Sequence, residues 1–331
     1  MQKDCRRVQI SAIIVCQSRN CSLKMLFLTA LHISRKGSSR LNATICDLFL
    51  LGLIVLSLST SAIASDDCKE WKGKGSTRNL KEIIMGRCFD YLETINPSTR
   101  GKSCSEIWES FLKAFSGKDP CNIRKEDYGP FLKLADHDIP VNQSIFWSRT
   151  KELLFKFTDV TKKFMPLEST LTGYLLNGLD WCGTACRPGL NYESCPEWNE
   201  CENNAQRSFW RAASENYAAK ARGEVSVMLN GSTNVNAFRK TSIFGEIELA
   251  NLDLEKVTSV HLWIIDSING PDKESCGVGS VAELESILQE KNVNYTCKDN
   301  YGPVQMLQCV NKLDNPSCKL PTTLSLQKDL S

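Results

Sequence analysis

Histidine is scarce in this chain: three in 331 residues, His32, His137 and His261. A Ser-His-Asp relay needs an imidazole held between a nucleophile and an acid, so so few histidines support it weakly. Recognisable motifs for other chemistries are missing too. There is no G-x-S-x-G nucleophile elbow, no P-loop, no G-x-G-x-x-G and no H-E-x-x-H. Net charge is small, +2, and uneven. Up to Ala64 eight Lys/Arg face two Asp/Glu, 8 − 2 = +6, which leaves 2 − 6 = −4 for the rest. A mildly acidic body lacks the basic patch that nucleic acid requires. Long apolar runs are also lacking. The longest candidate, Leu48 to Leu58, falls well short of the ~20 residues of a membrane-spanning helix.

Cysteine, by contrast, is abundant: 16 residues, 12 of them from Cys68 to Cys318. An even number spread over a whole domain points to disulfides and an oxidising compartment. Zinc would need clustered CxxC or Cys/His pairs, whereas "CGTAC" is CxxxC, so no metal is expected. The short run at 48–58 followed by Ala62-Ile63-Ala64 has the form of a signal peptide with a small-residue cleavage site. Residues 1–64 are therefore expected to be a leader, with Met25 as an alternative start. The expected route is the secretory pathway, ending outside the cell or in a vesicle lumen. A membrane association, as a type II anchor, enters only if the leader stays uncleaved. Three glycosylation sequons in the body after residue 64, at Asn142, Asn230 and Asn294, agree with that route.

Periodicity divides the body. Apolar residues at helical spacing mark "CSEIWESFLKAF", "QSIFWSRTKELLFKFTDVTKKF", "LESTLTGYLLNGL" and "NNAQRSFWRAASENYAAKARG" as helices, the last stopping near Gly223. "EVSVML", "IFGEIEL", "SVHLWIID" and "VNYTC" read as strands. "SVAELESILQEKN" reads as a helix with a Ser280/Glu283 capping box. The expected fold is a mixed α/β (α+β) one. A mostly helical N-terminal part packs on a C-terminal part with a small, mostly parallel sheet flanked by helices, the whole disulfide-rich. Residues 65–140, rejoined by 166–221, form the helical domain. Residues 141–165 and 222–331 form the α/β domain, with the active-site cleft between them.

With thiols paired and histidines few, carboxylates remain as catalysts. They suit glycosidic chemistry, in which positive charge grows on a sugar carbon. In "TSIFGEIELANL" two acids, Glu246 and Glu248, would share one face of a strand. Tryptophans such as Trp147, Trp181, Trp198, Trp210 and Trp263 offer faces for stacking on bases, although core packing accounts for most tryptophans. On a helix Trp210 and Ser214 share a face.

Seven segments in order, "DPCNI", "FWSR", "LESTLTGYLLNGLDWCG", "NYESCPEW", "SFWRAAS", "VMLNGS" and "SIFGEIELANL", resemble the ADP-ribosyl cyclase family of NAD-consuming ectoenzymes over about residues 80–320. The resemblance implies Glu248 as the catalytic acid, three residues beyond the Phe-Gly pair, and leaves Glu246 a solvated or salt-bridged bystander. It implies Trp147 and Trp210 as the walls of the nucleotide site. Ser148 and Arg149 become phosphate contacts, Ser214 a further one, and Phe244 a lining residue. Glu168 would meet the nicotinamide amide, and Asn177 stands where some relatives carry Asp. Ile243 departs from the Thr or Phe of relatives, and an apolar side chain there is expected to favour folding of the linear nucleotide and cyclisation. The implied disulfides are Cys88–Cys104, Cys121–Cys201, Cys182–Cys195, Cys276–Cys297 and Cys309–Cys318. The two cysteines left over, Cys68 and Cys186, are expected to pair. If they are free or intermolecular, a homodimer enters.

The implied activity is cleavage of the nicotinamide–ribose bond of NAD to give cyclic ADP-ribose. Hydrolysis would give ADP-ribose, and base exchange on NADP would give the nicotinic acid dinucleotide. NAD and NADP are substrates, so no cofactor is expected, and the partner is a small dinucleotide. A catalytically weak binding or receptor module on the same scaffold is the competing class. A polysaccharide glycosidase would need a second carboxylate across the scissile bond, for which Glu168 is the candidate.

Overall fold

A computed structural model describes residues 69–318. They fall within one unit, Asp66–Ser331. The leader 1–64 and Cys68 lie outside the described residues. Cys186 is itself disulfide-bonded.

Four parallel strands, β2 (Ile145–Ser148), β4 (Gly223–Asn230), β5 (Val257–Ile265) and β6 (Tyr295–Asp299), lie side by side in that order. A short antiparallel pair, β1 (Gly73–Lys74) with β3 (Ser194–Cys195), sits apart. Alternation along the strands sends side chains to two cores. Val225, Val227, Leu229, Val260, Leu262 and Ile264 face the large core. Ile145, Met228, Trp263 and Ile265 face a smaller one, packed by Leu154, Phe157 and Val304. The smaller core belongs to helices α4 (Lys151–Thr161) and α8 (Gly302–Cys309).

The large core takes the remaining helices: α1 (Leu80–Asp90), α2 (Cys104–Phe115), α3 (Gly129–Ala135), α5 (Leu171–Leu176), α6 (Ala205–Lys220) and α7 (Gly279–Glu290). Ser103 caps α2, its Oγ accepting from Glu106 N, and α2 buries Ile107, Trp108, Phe111 and Phe115 at the spacing its sequence shows. Phe111 meets Phe115, Phe131 and Trp181 at ring distances of 5.1, 5.6 and 5.3 Å. Tyr128 joins this cluster to the first turn of α6, since its hydroxyl donates to Ala205 O at 2.8 Å and accepts from Trp181 Nε1 at 3.1 Å. The register of α6, on which the site depends, is thus set by buried aromatics. Disulfides join Cys88–Cys104, Cys121–Cys201, Cys182–Cys195, Cys276–Cys297 and Cys309–Cys318. Each typically contributes ~2–4 kcal/mol. Among the described residues no helix is long and apolar enough to cross a membrane.

Several local expectations are corrected. The stretch read as a strand around Glu248 is a π-helical turn, Ile243–Glu248. Its apolar residues alternate over so few positions that period 2 and a helical period cannot be told apart. What decides is Ser242, whose Oγ accepts from Gly245 N at 3.1 Å and starts the turn. The segment read as one helix from 143 to 164 begins with strand β2, because Ile145–Ser148 pairs with Ser226–Leu229. The third expected helix splits into a 3-10 turn, Leu167–Ser169, and α5. Helix α6 stops at Lys220, and Gly223, at φ 72°, opens β4 instead of ending the helix. The capping box at Ser280 is absent: Val278 is the N-cap, Ser280 donates to Glu274, and Glu283 pairs with Lys240. Tertiary partners outbid the local motif there.

Candidate active site

Two residues apart on a helical turn are on nearly opposite sides, not on one face. Glu246 and Glu248 therefore diverge. Glu246 turns outward and takes a bidentate hydrogen-bonded ion pair from Arg211, at 2.7 and 3.1 Å. That pairing holds its carboxyl below the usual range. Glu248 turns inward and is 8% exposed. Ser214 Oγ, on α6, donates to its Oε1 at 2.9 Å. Burial pushes the Glu248 carboxyl up to about 8; the Ser214 bond opposes this, and the charge of Glu168 adds to it.

Glycine makes the turn fit. A Cβ on Gly245 would run into the Arg239 carbonyl oxygen and Lys240 Cα. Gly173 does the same for the second acid, because a Cβ there would run into the Leu167 carbonyl oxygen and Glu168 Cα. Helix α5 can then lie directly on the turn that presents Glu168. Trp147 Nε1 donates to both Glu168 oxygens, at 3.2 and 3.4 Å. Burial raises the Glu168 carboxyl, against its backbone hydrogen bond, the Trp147 bond and the Lys151 charge.

Both acids open into a cavity of about 780 Å³, a volume suited to a small-molecule ligand. The structure brings all ten residues named from the sequence to its wall: Trp147, Ser148, Arg149, Glu168, Asn177, Trp210, Ser214, Ile243, Phe244 and Glu248. Strand β2 delivers Trp147 and Ser148 at its C-terminal end, and Arg149 follows in a left-handed conformation, φ 61°. Arg149 Nη1 donates to Thr233 Oγ1 at 2.9 Å. Phe244 is buried between Phe146 and Phe238, with ring distances of 6.1 Å to each. Ser214, expected against phosphate, gives its hydrogen bond to Glu248. Asn177 Oδ1 accepts from Lys151 Nζ at 3.0 Å.

Lys151, Tyr217 and Arg239 also line the cavity and were not singled out from the sequence. Tyr217 was findable, since Trp210, Ser214 and Tyr217 follow helical i, i+4, i+7 spacing. Its hydroxyl accepts from Ile145 N at 3.0 Å and donates to Met165 O at 2.6 Å, tying α6 to β2. Burial raises its phenol, and the nearby charges of Glu248 and Glu168 add to that. Lys151 and Arg239 carry no local signal; only the fold brings them in. Of the sequon residues, Asn142 and Asn294 are exposed. Asn230 is half-buried, and its Nδ2 donates to Arg149 O at 3.3 Å.

The description ADP-ribosyl cyclase belongs to the family model that matches residues 77–318. The rat (Rattus norvegicus) ADP-ribosyl cyclase/cyclic ADP-ribose hydrolase 1 is 42% identical over 251 residues, 76% of this chain and 82% of that protein. Porcine CD38 carrying a covalent intermediate, ribo-F-ribose-5'-phosphate, superposes with a TM-score of 0.67 at 40% identity, over 70% of this chain and 99% of that one. Aplysia cyclase holding substrate NGD and product cGDPR superposes with a TM-score of 0.71 at 36% identity, over 75% of this chain and 99% of that one.

Proposed function

The chain belongs to the ADP-ribosyl cyclase family, and from that premise we propose that it cleaves the nicotinamide–ribose bond of NAD and closes the remainder into cyclic ADP-ribose. Glu248 is the acid that carries the reaction. The observation behind this reading is its position: buried, held by Ser214, and opening into a cavity walled by Trp147 and Trp210.

In the free site the Glu248 carboxyl keeps its proton at neutral pH, because burial disfavours the anion. NAD changes that balance. Its pyridinium carries a positive charge, and an opposite charge nearby favours the carboxylate. The ionised group then holds the ribose hydroxyls and stabilises the cation that develops as nicotinamide departs. In a site of low dielectric that stabilisation is stronger than in water. The two indoles stack on the nucleotide and exclude water. Attack by the adenine on the anomeric carbon closes the ring, whereas attack by water gives ADP-ribose. With NADP, nicotinic acid in place of water gives the nicotinic acid dinucleotide. Glu168, held by Trp147 Nε1, receives the nicotinamide amide and biases the choice among these fates. NAD and NADP act as substrates throughout.

The cleft marks the seam between the helical part, 65–140 with 166–221, and the α/β part, and its lining residues come from both. The five disulfides whose two cysteines both lie among the described residues suit an oxidising compartment, and we assign the protein to the secretory route, with glycans on its exposed sequons. A fluorogenic etheno-NAD analogue incubated with purified protein tests the activity. Fluorescence should rise with wild type and stay flat with folded Glu248→Ala. A flat trace from folded wild-type protein would turn the reading to a binding module.

A further inference from the structure

Arg239 stands nine residues before Glu248, in the loop that leads into its turn. The backbone there is fixed. Arg239 O accepts from Ser242 N at 3.0 Å and from Ser242 Oγ at 2.7 Å, and Gly245 packs against the same carbonyl. Arg239 lines the catalytic cavity together with Arg149. Its side-chain Nε is buried and has no hydrogen-bond partner among the described residues. A buried donor without an acceptor costs free energy, so a site keeps one where something else supplies the acceptor.

The surroundings sharpen the point. Two other cations of the cavity have partners: Lys151 meets Asn177 Oδ1, and Arg211 meets Glu246. Among the described residues no carboxylate pairs with Arg149 or Arg239. The Arg149 guanidinium donates to the neutral Thr233 hydroxyl. The two guanidiniums are near enough that the Arg239 charge adds to burial in holding Arg149 below its ordinary range. Two like charges left unneutralised on one wall repel each other, and an anion that bridges them relieves both that repulsion and the orphaned Nε–H.

We propose that Arg239 is a second anion-binding residue of this site, clamping the diphosphate of the dinucleotide together with Arg149. This rests on the NAD-cleaving reading above and extends it to a residue that the sequence motifs leave aside. The chemistry fits: a guanidinium fork presents paired N–H donors to phosphate oxygens, and two forks match a diphosphate. Arg239 is tied through its carbonyl to the turn that carries Glu248, so grip on the diphosphate and placement of the ribose are mechanically linked.

The test uses the whole protein, with Arg239→Ala and Arg239→Lys. Loss of one charge-assisted pair should lower kcat/KM for NAD about 10- to 100-fold, mostly through KM. Inhibition by inorganic pyrophosphate should weaken by a similar factor, and Arg239→Lys, which keeps the charge but not the fork, should fall between. Melting temperatures check folding, and if Arg239→Ala fails to fold, Arg239→Lys decides. Unchanged kinetics and unchanged pyrophosphate inhibition would overturn the proposal. A loss seen with NADP and not with NAD would also overturn it, assigning Arg239 to the 2′-phosphate. If wild type releases no nicotinamide from NAD, the activity reading fails instead, and calorimetric titration of pyrophosphate into wild type and the variants still decides the role of Arg239.

Discussion

Replacing Glu248 by glutamine should abolish turnover and, at neutral pH, make the protein more stable. The carboxyl titrates at about 8 in the folded protein against 4.5 as its ordinary value. Between those limits the folded chain holds a proton that the unfolded chain has lost. A raised carboxyl therefore contributes stability that is fully present below about pH 4.5 and is lost as pH rises through about 8. At pH 7 the unfolded acid is some 2.5 units above its pKa, which at 1.36 kcal/mol per unit makes the buried acid cost about 3 kcal/mol. Glutamine is neutral and nearly isosteric, and its carbonyl oxygen can still accept from Ser214 Oγ. It escapes that cost. For a domain of this size about 3 kcal/mol corresponds to a rise of roughly 5–10 °C in Tm. Calorimetry at pH 4 and pH 7.5 reads it: the two proteins should melt together at pH 4, and the variant should melt higher at pH 7.5. A variant less stable than wild type at pH 7.5, or an equal gap at both pH values, would refute the burial argument.

The same titration should appear in catalysis. kcat/KM for NAD reports the free enzyme and should rise with pH through about 8, while kcat should rise at lower pH because bound pyridinium favours the carboxylate; profiles between pH 5 and 9.5 check this. Ile243→Thr should shift product from cyclic toward linear ADP-ribose, and an unchanged ratio by chromatography would remove Ile243 from the account. Gly245→Ala should cost about 1–3 kcal/mol and lower activity together, since the added methyl meets the Arg239 carbonyl; denaturant melts and kinetics on the same preparation test that. Trp147→Phe keeps a ring but removes the donor to Glu168, so it should change the partition among products more than it changes KM for NAD.

Much of the architecture was legible from the chain. Helices α2 and α6 carry enough turns for their apolar stripes to declare themselves, and β4 and β5 are β-branched runs bounded by turn residues. That the ten named residues belong together was legible through motif resemblance, not through periodicity, and the structure brings them to one cavity wall. What stayed hidden was hidden for physical reasons. The turn holding Glu248 is too short for its period to be read. Its geometry depends on Ser242 and on the close approach of Gly245 to a loop six residues upstream. Strand β2 is four residues long and continues into amphipathic sequence, so only its pairing with β4 reveals it. Lys151 and Arg239 reach the cavity from separate segments, which no local pattern encodes.

Chromatographic analysis of NAD incubated with wild type and with folded Glu248→Gln addresses the central claim most directly. Wild type should release one nicotinamide for each molecule of cyclic ADP-ribose plus ADP-ribose formed, and Glu248→Gln should release almost none. Nicotinamide release by the glutamine variant at the wild-type rate would contradict the account.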